Sequence, residues 1–333
     1  MSAKLPPELE REIFEWTAVL HPWTIPHLLL TARRVHIWTE PLAYHTIRVD
    51  RSKRFTSFVD NALKGWKPPE FFAKHVRYIF VYVYVSIPSN LEDACRAVSL
   101  CVNATRIAGA GSLVGPHLIP VIQPMRLERV ALFLSHLLTY PDGAEKLPLE
   151  LPCFQTVTHL DVFDTLPLEN DEAKFYIEKL VALPVLTHLS LNDVAPWEEL
   201  KMLLAGCSCL KVLLIQWSGR DEDEGKRQAA AAPPEFDDVR LVMTTFDIME
   251  DAALDDSHLW TSAEEFIEEK SNGRISARTF WMHRDEVFRP DPTRQSSAEP
   301  VPQTDTVNSV QSGVEETPGD TGSSTEENGA NSM

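Results

Sequence analysis

Two histidines stand at equivalent places in this chain and have the side chains needed for acid–base chemistry. His159 precedes Asp161 by two residues, and His188 lies in a matching segment ahead of Asp193. A histidine oriented by a carboxylate can act as a general base. Nothing resembling a nucleophile elbow accompanies either pair, so repetition of the segment explains their spacing better than catalysis does.

Two further segments contain the residue types of a cofactor or metal site. The glycines of residues 109–115 follow a predicted strand, but the last one is a position too far for a dinucleotide loop and no acidic partner ends a second strand. A turn is the better prediction. Cys207 and Cys209 have no second ligand pair for zinc, and Cys95 and Cys101 have no His or Cys at ligand spacing. The sequence therefore predicts no cofactor, no metal and no enzymatic activity.

The elements around these residues repeat at a nearly constant distance. Residues 157–162 (Val-Thr-His-Leu-Asp-Val) recur as residues 186–191 (Leu-Thr-His-Leu-Ser-Leu). Looser copies have their anchors at Ile79, Ile107, Val130, Leu213 and Val242. With Leu160 and Leu189 included, successive anchors are 28, 23, 30, 29, 24 and 29 residues apart. This period predicts α/β repeats in an irregular leucine-rich-repeat-like solenoid over residues 51–289. A compact α/β domain with mixed strands is the alternative.

Segments between and after the strands are predicted from their caps and composition. Helices are expected near residues 170–182 and 196–204. Residues 219–238 are strongly acidic and contain an Ala-Pro run, which predicts a flexible surface loop. Residues 259–270 have an amphipathic pattern, which predicts a terminal helix that closes the exposed end of the repeat core.

The side chains between the anchors are expected to point to the opposite, concave surface of the solenoid. Aromatic and polar side chains together are typical of protein-binding surfaces, so this exposed row is predicted to bind a target protein. The candidate target-binding residues are Tyr82, Phe133, Asp161, Phe163, Ser190, Asn192 and Gln216, with Phe80, Ala108, Ala131 and Met243 in the same row. Packing of some of these aromatics under loops or helices is the alternative.

Composition limits the location of the chain. It has 333 residues, of which 44% are hydrophobic, enough for a sizeable core. No apolar run approaches the roughly eighteen residues of a membrane helix, and charged residues follow the N-terminus without a secretory signal. Five irregularly spaced cysteines favour reduced thiols over a disulfide framework. We therefore expect a cytoplasmic or nuclear protein without a membrane partner.

The net charge of −18 is concentrated late in the chain. Residues 221–270 hold 16 acidic and 4 basic residues, and residues 290–333 hold 8 and 1. Such acidity would repel phosphates, so no nucleic-acid partner is expected. A basic stretch over residues 48–77 has apolar residues at helical spacing and is predicted to be a solvated helix face. Residues 290–333 lack aromatics, leucine and isoleucine, which predicts a disordered tail.

Residues 1–50 are predicted to form three short helices. Prolines and an acid open the first helix where no amide hydrogen bond is lost. Its apolar residues Leu9, Ile13, Trp16 and Leu20 have spacings of four, three and four, which places them on one face. So few residues make a poor core, so part of this surface is expected to pack on the following domain or on a partner protein. A plain helical cap on the repeats is the alternative.

The N-terminal motifs resemble an F-box. Residues 5–14 (Leu-Pro-x-Glu-Leu-x-x-x-Ile-Phe) resemble its opening, and Ala32-Arg33-Arg34-Val35 with Trp38 resembles its closing half. The resemblance covers the first fifty residues. The F-box of this family usually ends in Val-Cys-Arg-x-Trp, whereas residues 31–35 of this chain are Thr-Ala-Arg-Arg-Val. The tryptophan stands three positions later than in the family pattern. Together with the repeats, the chain is similar to the expanded F-box-like families of mushroom-forming fungi.

This resemblance implies a substrate-recognition adaptor of a Skp, cullin and F-box ubiquitin ligase. The residues implied to bind the Skp-family adaptor subunit are Leu5, Pro6, Leu9, Ile13, Phe14 and Leu28. The repeats would then bind an unidentified target protein. The alternative is a repeat scaffold that binds proteins without any ligase, and an enzyme is the third reading.

Overall fold

Eight parallel strands form a single sheet in which each strand pairs with the next one along the chain. The computed structural model describes residues 5–49, 52–83, 91–111, 114–139, 146–165, 171–193, 196–246 and 256–283. The tail predicted to be disordered, residues 290–333, lies outside these ranges. The strands are β1 (Thr46–Val49), β2 (Tyr78–Val83), β3 (Arg106–Gly111), β4 (Arg129–Leu132), β5 (His159–Thr165), β6 (His188–Asn192), β7 (Val212–Ser218) and β8 (Leu241–Phe246).

Eleven α-helices lie in the described residues. They are α1 (Pro7–Leu20), α2 (Ile25–Leu28), α3 (Arg33–Ala43), α4 (Ser52–Leu63), α5 (Pro69–His75), α6 (Leu91–Ser99), α7 (Ile119–Ile122), α8 (Asp171–Val181), α9 (Trp197–Gly206), α10 (Glu222–Ala230) and α11 (Asp256–Ser271). Parallel pairing requires a crossover between consecutive strands, and helices α4 to α10 lie in these crossovers.

The main core lies between one face of the sheet, here the first face, and helices α4 to α10. Aliphatic side chains stand side by side in register across the strands, as at Ile79, Ile107, Val130 and Leu160. They pack against buried helix residues such as Phe72. This alignment makes one continuous apolar layer, because each strand supplies a side chain at the same level.

Helix α11 covers the opposite face of the sheet, here the second face, over strands β7 and β8. Trp260 and Ala263 of this helix pack on Val212, Leu214 and Val242. The buried ammonium of Lys270 donates to the carbonyl oxygen of Leu241 at 2.5 Å, and burial lowers its pKa to about 7. Helix α11 therefore forms a second helical layer on the sheet.

The architecture predicted from the sequence is wrong. A three-helix module followed by an irregular leucine-rich-repeat-like solenoid was expected, whereas the chain builds one eight-stranded, all-parallel α/β sheet with helices on both faces. The strands are not mixed in direction either. The spacing of the anchors gives only the length of each unit of one strand and its crossover. A strand with a helical crossover occupies 23 to 30 residues, as does one turn of a solenoid.

The predicted register is also wrong at the last strand. Leu241, not Val242, pairs with the anchor Leu213. Val242 therefore faces α11, and Met243, predicted on the target-binding row, is buried in the main core. A shift of one residue moves every side chain of a strand to the other face.

Two predictions for the C-terminal segments need correction. Residues 219–238 are not an irregular loop, because they contain helix α10. Glu222, Asp223 and Glu224 lie in its first turn, where the helix dipole favours acids, and Lys226 pairs with Glu222 at 2.6 Å. The predicted terminal helix does form as α11, but it covers the second face instead of closing the end of the main core.

Replacement of Gly225 in α10 by Ala is expected to destabilise the protein. Alanine normally favours a helix over glycine by about 1 kcal/mol, but a methyl built here would lie 2.5 Å from Trp281 and 2.8 Å from Trp217. We expect a net loss of about 1–3 kcal/mol in urea unfolding. The exposed Ala230→Ser should change stability by less than about 0.5 kcal/mol. A more stable Gly225→Ala variant would contradict this packing.

Candidate protein-docking surface

The three N-terminal helices pack against one another around small side chains. Ala18 of α1 and Val35 of α3 are buried, and the hydroxyl of Thr39 donates to the Val35 carbonyl at 2.9 Å. The guanidinium of Arg34 donates to both carboxylate oxygens of Glu10, at 2.6 and 3.1 Å. This bidentate ion pair links α1 to α3 at the surface.

Helix α1 turns its apolar stripe towards solvent. Leu9 is 47% exposed, Ile13 55%, Trp16 62% and Leu20 62%. A surface helix normally buries such a stripe against the core. Here the buried side is the one that carries Ala18, so the large side chains are left for another molecule to cover.

Exposed apolar side chains are concentrated in this part of the structure. Of the 13 large ones in the described residues, 9 lie between residues 5 and 37. We call this set the N-terminal apolar surface: Leu5, Leu9, Ile13, Trp16, Val19, Leu20, Trp23, Leu30 and Ile37. Large exposed apolar surface on a soluble domain marks a site of interaction with a protein or membrane.

The residues implied to bind the adaptor have different exposures. Leu5, Pro6, Leu9 and Ile13 are exposed, whereas Phe14 and Leu28 are half-buried. Sequence reasoning did not single out Val19, Trp23, Leu30 and Ile37 as site residues. Their signal was present in the sequence, because Trp23 and Leu30 are large apolar residues outside any long helical pattern.

A groove of about 470 Å³ lies beside this surface, where the N-terminal helices meet β1. Val19, Pro22 and Ile25 contribute apolar walls, and His45 and Thr46 line its end near the sheet. Burial, followed by the charges of Arg77 and Arg106, lowers the pKa of His45. The groove is therefore largely apolar and uncharged at neutral pH.

Apart from Met243, the described side chains of the predicted target-binding row lie on the second face, but most of them are not exposed. Buried members are Asp161, Phe163, Ser190, Asn192 and Gln216, together with Phe80 and Ala108. Phe133 and Ala131 are half-buried. Tyr82 pairs with Ala110 through the backbone, and its side chain lies outside the described part of the chain. The expectation of an exposed row is thus wrong at the buried positions.

Polar side chains of this row bond to one another instead of facing solvent. The amide of Gln216 donates to Ser190 Oγ at 2.6 Å and to Asp161 Oδ1 at 3.2 Å. The amide of Asn192 donates to the Phe163 carbonyl at 3.0 Å. Buried polar groups need such partners to offset the loss of water, so this network holds strands β5, β6 and β7 in register.

The two equivalent histidines stack on the second face. Their ring centroids are 4.1 Å apart and nearly parallel, and Trp260 meets both rings edge-on. His188 Nε2 lies 3.1 Å from Glu264 Oε1. Asp161 Oδ1 accepts a hydrogen bond from Gln216 at 3.2 Å, and Asp193 Oδ2 accepts one from the Thr165 hydroxyl at 3.0 Å. Burial, then the charges of His188 and nearby basic residues, lowers the pKa of His159 to about 3.

Acid should therefore destabilise the protein through His159. Its folded pKa of about 3 lies below the ordinary value of 6.5, so the unfolded chain binds the extra proton between these pH values. The contribution is complete above pH 6.5 and is lost as pH falls towards 3, by up to about 1.4 kcal/mol per pH unit. His159→Asn should flatten the pH dependence of urea unfolding, whereas the exposed His27→Asn should not. Equal slopes for all three proteins would contradict the assignment.

The remaining chemical candidates have structural roles. Gly109 lies in β3, where an added methyl would be 2.9 Å from both Val81 and Val114, so only glycine fits. All five cysteines are unpaired, and burial raises the pKa of Cys101 to about 12. Within the described residues, no three His, Cys, Asp or Glu side chains are placed to hold a metal ion.

Comparison with models of known protein families gives no match, and a search of curated proteins finds no relative. The described helices include none with the length and apolar character needed to cross a membrane.

Proposed function

We propose that this chain is a non-enzymatic substrate-recognition subunit of a Skp, cullin and F-box ubiquitin ligase. The N-terminal apolar surface would bind the Skp-family adaptor subunit, and the remainder of the chain would hold a target protein. Its contribution to ubiquitination would be proximity, with the chemistry performed by other subunits. Unpaired cysteines support action in the reducing cytoplasm or nucleus.

One observation carries this proposal. Leu5, Leu9 and Ile13, which open the motif of the F-box resemblance, are among the large apolar side chains exposed on α1 and just before it. In a plain helical cap these side chains would be buried against the sheet. Their exposure, on a helix whose Glu10 pairs with the closing-half residue Arg34, supports a preformed site for a partner.

A scaffold that binds proteins without a ligase is the second candidate. It is favoured by the altered closing half, because Val35 is buried inside the helical bundle and gives no contact to a partner. Such a scaffold could use the same apolar surface for a different protein.

Assembly on a cullin separates these two functions. Immobilised cullin should retain the full chain when the Skp-family adaptor subunit is present and should not retain it when the adaptor is omitted. Retention that does not depend on the adaptor, or no retention in either case, would contradict the ligase function. A stable complex with another protein through Leu9 and Ile13 would then favour the scaffold.

A further inference from the structure

The histidine pair of the second face lies beneath helix α11. His159 and His188 stack with their ring centroids 4.1 Å apart and their planes within 3° of parallel. The ring of Trp260 meets them edge-on, with its centroid 5.7 and 5.3 Å from theirs. One turn further along α11, Glu264 Oε1 lies 3.1 Å from His188 Nε2. Docking of α11 therefore covers the histidine pair.

The stacked geometry limits the charge that the pair can carry. Two imidazolium charges 4.1 Å apart repel each other strongly at a buried site, where little water screens them. Glu264 can offset a charge on His188. The hydrogen-bonding and ring partners of His159 are Thr158, His188 and Trp260, and none of them is an acid. The pair therefore accommodates one proton at most while it stays stacked.

Burial and nearby charge both disfavour protonation of the docked pair. Burial is the largest cause of the lowered pKa of each ring. For His188, the hydrogen bond and the charge of Glu264 act in the opposite direction. Asp161 lines the same recess as His159, and its Oδ1 accepts a hydrogen bond from Gln216. The cations that oppose a proton on His159 are Arg106, Arg129 and Lys211.

Helix α11 has its own small apolar cluster. Its buried residues Trp260 and Ala263 pack on side chains of β7 and β8, in a cluster that is separate from the main core on the first face. An element held by few buried contacts opens at a lower free energy than the whole fold. Release of α11 therefore does not require the main core to open.

Lys270 is the other buried titratable side chain of α11. Its ammonium lies 4.9 Å from the ring centroid of Phe266 and 5.2 Å from that of Phe280. Burial lowers its pKa to about 7, and Asp238 acts in the opposite direction. A lysine with this pKa keeps its charge over the lower pH range in which the histidines take up protons. It therefore does not contribute to a response to acid.

We propose that His159 and His188 form an acid-sensitive latch for α11, in which a second proton separates the stacked rings and releases the helix from the second face. The released histidines return towards their ordinary pKa of about 6.5, so release takes up protons below this pH. Each pH unit of acidification then favours release by up to about tenfold per histidine. The latch does not depend on adaptor binding, because it lies outside the N-terminal apolar surface.

Hydrogen–deuterium exchange of the full chain over the acid range tests the latch. After correction for the intrinsic effect of pH on exchange, protection of α11 should fall by about tenfold or more between about pH 6.5 and about pH 4.5. Strand β6 should keep its protection over the same range. The His159→Asn variant should retain a protected α11 at the lower pH, whereas the exposed His27→Asn should behave as the wild type does.

Three results would overturn the latch. Equal loss of protection in α11 and β6 would show that acid unfolds the whole domain and does not release one helix. Loss of the pH dependence in Glu264→Gln but not in His159→Asn would assign the response to the carboxylate. Protection of α11 that stays constant down to about pH 4.5 in the wild-type chain would contradict the latch without relying on the folding of any variant.

Discussion

Replacing Ile13 or Leu9 by Asp should abolish binding of the Skp-family adaptor subunit without disturbing the fold. Both side chains project from α1 into solvent, at 55% and 47% exposure, so a charge there costs the free protein little. In a complex the same charge would be buried without a partner. Losing an apolar contact at the centre of an interface costs about 2–4 kcal/mol, or roughly 30- to 1,000-fold in affinity by calorimetry.

The matched control is Met202→Asp on α9. Met202 is apolar and 44% exposed, but it lies outside the N-terminal apolar surface. Its variant should bind the adaptor with wild-type affinity. Wild-type affinity in both α1 variants would show that α1 does not bind the adaptor. An equal loss of affinity in Met202→Asp would point to non-specific effects of added charge.

Replacing Leu189 by Asp should prevent folding, and Leu189→Ala should cost about 2–5 kcal/mol in urea unfolding. Leu189 is fully buried in β6, between Leu160 and Leu213 of the neighbouring strands. Asp would lose about 2 kcal/mol of apolar transfer and bury a charge as well. Domains of this kind have a total stability of only about 5–15 kcal/mol.

Val185→Asp is the control for the core prediction. Val185 precedes β6 and is 38% exposed, so its substitution should change stability by less than about 0.5 kcal/mol. A soluble, cooperatively unfolding Leu189→Asp protein would show that the sheet core does not hold the fold together.

The strands themselves could be predicted from the sequence. Leu160 and Leu189 lie in segments of matching pattern, and both segments form paired strands. Apolar residues at alternate positions identify a strand because each must bury one side. The alternating pattern could not specify the architecture. It indicates which side of each strand is buried in the main core, but it does not show what covers the opposite face of the sheet.

A signal for the second helical layer was present but ambiguous. Residues 212–215 read Val-Leu-Leu-Ile without a polar residue, which is typical of a parallel strand buried on both faces. Read at alternate positions only, it supports a sheet with one solvated face. The buried network of Asp161, Ser190 and Gln216 could not be predicted either. A polar side chain is expected to face solvent unless its hydrogen-bonding partner is known.

The candidate docking surface could be predicted in part. The spacing of Leu9, Ile13 and Trp16 identified one face of a helix. The small number of residues in three helices indicated that part of their apolar surface packs on the following domain or on a partner protein. Which face of α1 packs on α3 depends on the contact of Ala18 with its neighbours, and no periodicity reports such a contact.

Hydrogen–deuterium exchange of the full chain, with and without saturating Skp-family adaptor subunit, tests the docking surface most directly. We expect slower exchange in α1, residues Pro7–Leu20, while β5, β6 and β7 keep their rates. Such protection would assign the exposed stripe to the adaptor interface. Unchanged exchange in α1 at saturation, or protection confined to the second face of the sheet, would contradict it.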